Sequence, residues 1–179
     1  KLLTDNIIFQ NRTKGIGILS KEDAIAFGVT GPSGRASGFS CDVRKHHPYS
    51  AYPYIKFDEK MGTEGDSFTR WKLRMDEMWE SMNIIEQLID NIPEGDFAVK
   101  MKGVIKLPEG EFYQRVETAR GEFGVYIVSD GKKNPYRVKF RSPGFSNLFT
   151  INHIAKGWKI ADLVAIMATF DLVIPDIDR

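Results

Sequence analysis

The side chains that most often carry chemistry are sparse in this 179-residue sequence. It has one cysteine, Cys41, and three histidines, His46, His47 and His153. His46 and His47 are adjacent and therefore point in different directions, and no pair has the i, i+4 spacing of a metal-binding helix. A single thiolate holds neither a structural zinc nor an iron–sulfur cluster. We therefore expect no metal site and no catalytic residue in this chain.

A glycine-rich segment, residues 31–38, is similar at first sight to a phosphate-binding loop. It lacks the Lys-Ser/Thr ending of that loop and follows no clear strand. Glycines this dense are typical of tight turns or of close backbone approach. The one charged residue of the segment, Arg35, should be directed at a specific partner. The residues alone leave two partners open, a buried carboxylate or a redox site.

Two charged stretches have both a binding and a structural interpretation. Arg137, Lys139 and Arg141 alternate along a predicted strand and could contact phosphates, but the aromatic residues that would stack on bases lie on the opposite face. A solvated or subunit-facing sheet edge is the better interpretation, and a net charge of +1 gives no field that would recruit nucleic acid. The tail from Asp171 to Asp178 is acidic. A frayed, solvated end is the usual interpretation of a terminus, but five of the last nine residues are apolar, which favours a tail packed into a partly buried site.

The first elements that must position these groups are short. Ser20 followed by an acid three residues later predicts the start of a helix, and Gly28 suits the left-handed position after it. Residues 29–54 are rich in glycine, proline, serine and aromatic residues and show no period. They predict a long structured loop, and loops of that length are usually functional.

The most regular element is a helix over residues 67–92, which Asp66 can cap. Its apolar residues recur at spacings of four and three, which predicts a core or bundle helix, with a methionine-rich docking groove as the alternative. The stripe consists of Trp71, Met75, Met78, Met82, Ile85, Ile89 and Ile92.

A β-hairpin and a last helix complete the α+β pattern. The strands are predicted over residues 123–128 and 136–141, with the turn beginning at Asp130-Gly131. The helix is predicted over residues 151–170. We expect residues 1–179 to form a single domain, and the missing initiator Met suggests a fragment of a longer chain. The longest apolar stretch, residues 163–168, is far shorter than the roughly 20 residues of a membrane span.

Short motifs along nearly the whole chain resemble, in order, the D subunit of respiratory complex I, the NADH:quinone oxidoreductase. The clearest departure is Cys41, where that family usually has Trp. The motifs are Leu3-Thr4-Asp5-Asn6, Gly15-Ile16-Gly17, Gly31-Pro32-x-x-Arg35-Ala36-Ser37-Gly38, Asp42-Val43-Arg44-Lys45, Gly65-Asp66-x-x-x-Arg70, Gly121-Glu122-Phe123-Gly124, Ser129-Asp130-Gly131, Arg141-Ser142-Pro143-Gly144-Phe145 and Asp171-Leu172-Val173 with Asp178-Arg179.

That family is similar to the large subunit of nickel–iron hydrogenases, whose chain ends in Asp-Pro-Cys-x-x-Cys. Here Val173 and Asp176 stand at the two thiolate positions, and a soft metal needs those thiolates. The resemblance implies the C-terminal half of a hydrogenase-large-subunit-like fold, with a quinone pocket in the abandoned metal cavity beside the terminal iron–sulfur cluster of a neighbouring subunit. The quinone-headgroup His and Tyr of the family lie in the N-terminal half, so this chain would form one wall.

The resemblance also implies roles for individual residues. Val173 would be a wall residue of the quinone site, and Asp171 and Asp178 would orient the tail and tune local protonation. Arg35, with Gly31 and Pro32, would support the site from the glycine-rich segment through a buried ion pair.

The same resemblance implies part of the quinone-reducing module of a proton-translocating enzyme, inactive when isolated. The chain would bind no cofactor; FMN, NADH and iron–sulfur clusters would belong to partner subunits, with quinone as the substrate. Its partners would be the iron–sulfur subunit with the terminal cluster and the membrane arm, on the cytoplasmic side of the bacterial inner membrane. The alternatives are a non-redox interaction module and a membrane-bound hydrogenase-type protein with another electron donor.

Overall fold

A computed structural model describes residues 2–100, 103 and 105–178 of the chain. The architecture is α+β, as predicted, with helices packed beside one three-stranded sheet. The helices are α1 (Ile7–Asn11), α2 (Lys21–Ala26), α3 (Gly31–Ala36), α4 (Val43–His46), α5 (Ser67–Ile89), α6 (Pro143–Ile154), α7 (Ile160–Phe170) and α8 (Ile174–Ile177). The strands are β1 (Gly110–Thr118), β2 (Gly121–Ser129) and β3 (Arg137–Arg141), and Tyr52–Tyr54 form a 3₁₀ turn.

The short helix α2 has the predicted ends. The Ser20 side chain accepts a hydrogen bond from the Asp23 backbone N–H, and Gly28 has a φ of +67° just beyond the helix. The prediction of a loop over residues 29–54 is wrong, because α3, α4 and the 3₁₀ turn lie there. Pro32 stands in the first turn of α3, where its missing N–H costs nothing, and the Asp42 carboxylate caps α4 by accepting from the Arg44 N–H.

Helix α5 begins where predicted, with the Asp66 carboxylate accepting from the Thr69 N–H at 2.7 Å, and ends three residues early. Its buried positions are Arg70, Leu73 and Ile84 as well as Ser67. The predicted core stripe is wrong for the outer half of the helix, where the residues of the stripe are more than half exposed. The exposed members are Met78, Met82, Ile85, Ile89 and, beyond the helix, Ile92.

The sheet contains the predicted hairpin and one strand more. β2 pairs antiparallel with β3, and Gly131 in the connection has a φ of +75°. β1, which was not predicted, pairs with β2 from Gly110↔Ser129 to Thr118↔Gly121 and is joined to it by two residues, Ala119 and Arg120. The β1–β2 hairpin therefore ends in a tight two-residue turn, which lies against α3.

The predicted last helix is two helices, since Gly157 with a φ of +85° lies in the break between α6 and α7. Buried apolar residues of α6 and α7 meet the segment around α2 to form the core. This core contains Ile16, Leu19, Ala24, Val29, Ile151, Ile154, Ile166 and Phe170. Within the described residues, no helix has both the length and the apolar character needed to cross a membrane.

Candidate functional site

The C-terminal tail is folded back onto the protein. Asp171 follows α7 in the left-handed region (φ 52°, ψ 54°), and Leu172 packs against the core. Val173 is half-buried at the start of α8, and Asp178 is exposed at its end. The Asp176 carboxylate accepts a hydrogen bond from the Ser142 hydroxyl at 2.7 Å. The tail is thereby docked on the first turn of α6.

A cavity of about 540 Å³ lies between α3, α5, the β1–β2 turn and the end of α7. It brings together two of the predicted site residues, Arg35 and Asp171. Val173 and Asp178 are not among its lining residues, and Gly31 and Pro32 are buried in α3. The apolar part of the lining comes from Met75, Met78, Ala119 and Ala168, and the remaining charged groups are Arg44, Arg74, Glu77 and Glu117.

Arg35 is almost fully buried and lies between two carboxylates. Its Nη2 is 2.7 Å from Glu77 Oε1, and its Nη1 is 2.8 Å from Glu117 Oε1. Burial opposes the charge of the guanidinium, but the two carboxylates outweigh it and raise the pKa of Arg35. Burial raises the pKa of Glu117 despite Arg35. Of the two partners left open by the sequence, the structure therefore contains the buried carboxylate, in two copies.

Gly31 is the point at which α3 meets the sheet. Its φ is +66°, and a Cβ there would lie 2.3 Å from Gly121 Cα. A Cβ on Gly121 would in turn lie 2.6 Å from Thr30 Oγ1. Only glycine allows this approach, so the β1–β2 turn is seated directly on the start of α3. That seating brings Glu117 to Arg35 and Arg120 to the end of α7.

Three arginines hold the end of α7, a role that the sequence interpretation gave to none of them. Arg74 Nη1 donates to Thr169 O at 2.6 Å, and Arg120 Nε donates to Asp171 O at 2.9 Å. Arg70, fully buried, donates to Gly17 O, Gly65 O and Thr169 Oγ1. Burial, together with the charge of Arg74, lowers the pKa of Arg70 to about 9. The signal that could have revealed Arg70 and Arg74 is their spacing of four beside the apolar residues of α5.

Cys41 and the histidines of α4 lie elsewhere, around a smaller cavity of about 190 Å³. Burial raises the pKa of Cys41 to about 12, so its thiol stays protonated at neutral pH. His46 Nε2 lies 2.9 Å from the Ser40 hydroxyl, which donates to Glu59. Across residues 2–100, 103 and 105–178, no cluster of three or more His, Cys, Asp or Glu side chains is arranged to hold a metal ion.

The larger cavity is lined by both charged and apolar residues. Of its charged lining residues, Arg35, Glu77 and Glu117 pair with one another. Arg44 pairs with Asp42 and Asp171 with Arg120, both outside the lining, while Arg74 donates to backbone oxygens. The apolar lining residues Met75, Met78, Ala119 and Ala168 therefore lie beside a strongly charged set.

Comparison with known proteins gives this site a family context. The family described as "Respiratory-chain NADH dehydrogenase, 49 Kd subunit" matches residues 1–106 and 96–179, and the chain belongs to this family. The resemblance to the D subunit of complex I that the motifs indicated is thereby confirmed.

Curated relatives match along the whole chain. The C/D subunit of the NADH-quinone oxidoreductase of Phocaeicola vulgatus is 56% identical over 179 residues, covering 100% of this chain and 34% of that protein. The D subunit of the NADH-quinone oxidoreductase of Desulfotalea psychrophila is 50% identical over 179 residues, covering 99% of this chain and 48% of that protein. The chain therefore spans about a third of the C/D relatives and about half of the D relatives.

Proposed function

We propose that this chain is part of the quinone-reducing module of a proton-translocating NADH:quinone oxidoreductase and forms one wall of its quinone site. The observation that carries the proposal is the cavity at the end of α7, where Asp171 of the terminal motif and Arg35 of the glycine-rich motif line one space with an apolar side. Membership of the 49 kDa subunit family and relatives named as NADH-quinone oxidoreductase subunits support it.

Reduction of a quinone to a quinol takes two electrons and two protons, and in this proposal the chain supplies no electrons. The electrons come from NADH through FMN and iron–sulfur clusters in partner subunits, the last cluster lying in the neighbouring iron–sulfur subunit. Val173, which stands at the start of α8 two residues after the cavity-lining Asp171, is a wall residue outside the cavity itself. Asp171 and Asp178 orient the tail and tune protonation next to the substrate. Arg35, Gly31 and Pro32 keep that wall in place, because the buried ion pairs and the glycine contact join α3, α5 and the β1–β2 turn.

The remaining parts of the proposal concern the assembly. The chain binds the iron–sulfur subunit and the membrane arm, is peripheral on the cytoplasmic side of the bacterial inner membrane, and is inactive by itself. The exposed apolar half of α5 supports extensive contact with other subunits, since large exposed patches usually mark interaction surfaces. A non-redox interaction module and a hydrogenase-type protein are disfavoured, because the relatives at 46–56% identity are named NADH-quinone oxidoreductase subunits.

The test uses membranes that contain the complete complex with single substitutions in this segment. Val173→Met adds volume to a fitted wall, where overpacking costs about 1–3 kcal/mol. The rate of quinone reduction should fall at least about fivefold relative to NADH oxidation by an artificial acceptor upstream. Asp178→Asn removes a charge without a change of shape and separates electrostatic from packing effects.

Val164→Met is the matched control, because Val164 lies on α7 and is 65% exposed. It should leave the ratio of the two activities unchanged. If Val173→Met lowers both activities together, the tail is an assembly element and the quinone-site assignment is wrong.

A further inference from the structure

The end of α7 is unusual in having an aspartate where helices commonly use glycine. Among the described residues only Ser50 and Asp171 are non-glycine residues with positive φ. A side chain in the left-handed region is disfavoured by contact between Cβ and the backbone, so the surrounding structure must hold it there. For Asp171, the group in position to do so is Arg120.

Arg120 contacts Asp171 at two points. Its Nε is 2.9 Å from the backbone oxygen of Asp171 and 3.2 Å from carboxylate Oδ2. The same Nε–H thus donates to the backbone oxygen of Asp171 and lies beside its carboxylate. Arg74 fixes the preceding turn through Thr169 O, so only the step from α7 into the tail depends on Arg120.

Arg120 is itself placed with little freedom. It stands in the two-residue β1–β2 turn, and the turn rests on α3 through the contact between Gly31 and Gly121. The Glu122 N–H donates to Thr30 Oγ1 at 3.0 Å on the same side. The start of α3 and the end of α7 are therefore linked through one side chain.

We propose that Arg120 is a positioning residue of the quinone site, which holds Asp171 in the left-handed conformation and so sets the direction in which residues 172–178 leave α7. The inference rests on the proposed function, because it assigns the wall formed by Val173 to the same tail. Without the two contacts, Asp171 can relax to negative φ, and residues 172 and 173 shift relative to α7, while the hydrogen bond between Asp176 and Ser142 still holds the end of the tail. A wall that moves by a fraction of an ångström presents a different surface to the substrate.

The experiment measures KM for a short-chain quinone in membranes carrying the complete complex. Arg120→Met should raise KM about tenfold, in the range of coupling between contacting residues, with NADH oxidation by the artificial acceptor unchanged. Asp171→Asn should raise it less, because the backbone contact remains. In the double variant the two effects should be non-additive, since both substitutions disrupt one interaction.

Arg115→Met is the matched control. Arg115 and Arg120 lie on the same hairpin with equally exposed side chains, but Arg115 pairs with Glu122 and not with the tail. The inference is overturned if KM is unchanged in Arg120→Met or rises equally in Arg115→Met. It is also overturned if the effects of Arg120→Met and Asp171→Asn on KM are additive in the double variant. If the complex with Arg120→Met does not assemble, Arg120→Lys replaces it in the single and double variants. Lysine keeps the charge but loses the Nε contact. If Val173→Met alters quinone reduction and the Arg120 variants do not, only this inference fails. If neither Val173→Met nor the Arg120 variants alter quinone reduction, the proposed function is also wrong.

Discussion

The two halves of α5 have the same apolar periodicity and opposite surroundings. The inner half, from Ser67 to Glu77, contains buried Arg70 and Leu73 and packs against α3 and α7. The outer half, from Met78 onward, leaves most of its apolar stripe exposed. The stripe residues of the inner half, Trp71 and Met75, are thus partly buried, while those of the outer half are exposed. The difference lies in what the rest of the chain supplies to each end.

The outer half is held through its polar side. The Gln87 side chain exchanges hydrogen bonds with the backbone of Lys56, and Glu80 accepts from the Asp58 N–H and pairs with Lys60 at 2.7 Å. These polar contacts and the buried Ile84 fix the direction of the outer half, while the residues of the predicted stripe stay exposed.

The largest effect is expected at the inner half, on replacing Arg35 with methionine. Arg35→Met leaves Glu77 and the nearly buried Glu117 without their shared cation. Removing one partner of a buried ion pair typically costs about 3–5 kcal/mol of unfolding free energy. Urea denaturation of the chain, followed by circular dichroism, measures the loss.

Lys72→Met is the control for this change, because Lys72 forms an exposed i, i+4 pair with Asp76 on the same helix. Its effect should be below about 0.5 kcal/mol. A loss for Arg35→Met no larger than that of the control would mean that the network contributes nothing to folding.

The next effect compares the two halves directly. Leu73→Ala removes a side chain that is 3% exposed and should cost about 2–5 kcal/mol. Ile85→Ala removes a side chain that is 59% exposed and should cost less than about 1 kcal/mol. Denaturant midpoints of both variants give the comparison. Equal losses would show that the outer stripe is buried in solution, for instance between two copies of the chain.

The smallest effect tests how the outer half is held. The hydrogen bond from Lys60, aided by Asn83 and the Asp58 N–H, lowers the pKa of Glu80 to about 2. The carboxylate therefore contributes stability that is complete well above its ordinary pKa of 4.5, decreases as the pH falls through that value, and is lost below about 2. Solvent screens the pair, since Lys60 is 31% exposed, so the contribution is modest.

The measurement is the difference in unfolding free energy between the natural chain and Glu80→Gln at about pH 6 and about pH 2.5. The difference should shrink at the lower pH. A difference that is independent of pH would mean that the Glu80 carboxylate is not the group that holds segment 56–60.

The sequence predicts local ends better than it predicts burial. Asp66 and Ser20 act as helix caps and Gly28 follows α2, because each of these features depends on a few neighbouring residues. The stripe of α5 identifies an apolar face but contains no information on what covers it. β1 was missed because its apolar and polar residues mix on both faces and glycine and proline precede it.

The candidate site was predictable only in part. Arg35 was correctly expected to have a specific partner, but Glu77 and Glu117 are 42 and 82 residues away in sequence and carry no local signal. Asp171 was identified from motif position, and its quinone role stays a prediction. Arg120, 51 residues from Asp171, belongs to a turn that could not be placed without β1.

Arg70 has a consequence for the order in which the protein is made. Its guanidinium joins Gly17, 53 residues earlier, to Thr169, 99 residues later. During synthesis from the N-terminus, the first of these contacts can form while most of the sheet and the last helices are still untranslated. The second contact forms only after the end of α7 has been made. Until then water hydrates the Nε of Arg70, and that water is displaced when α7 packs beside α5.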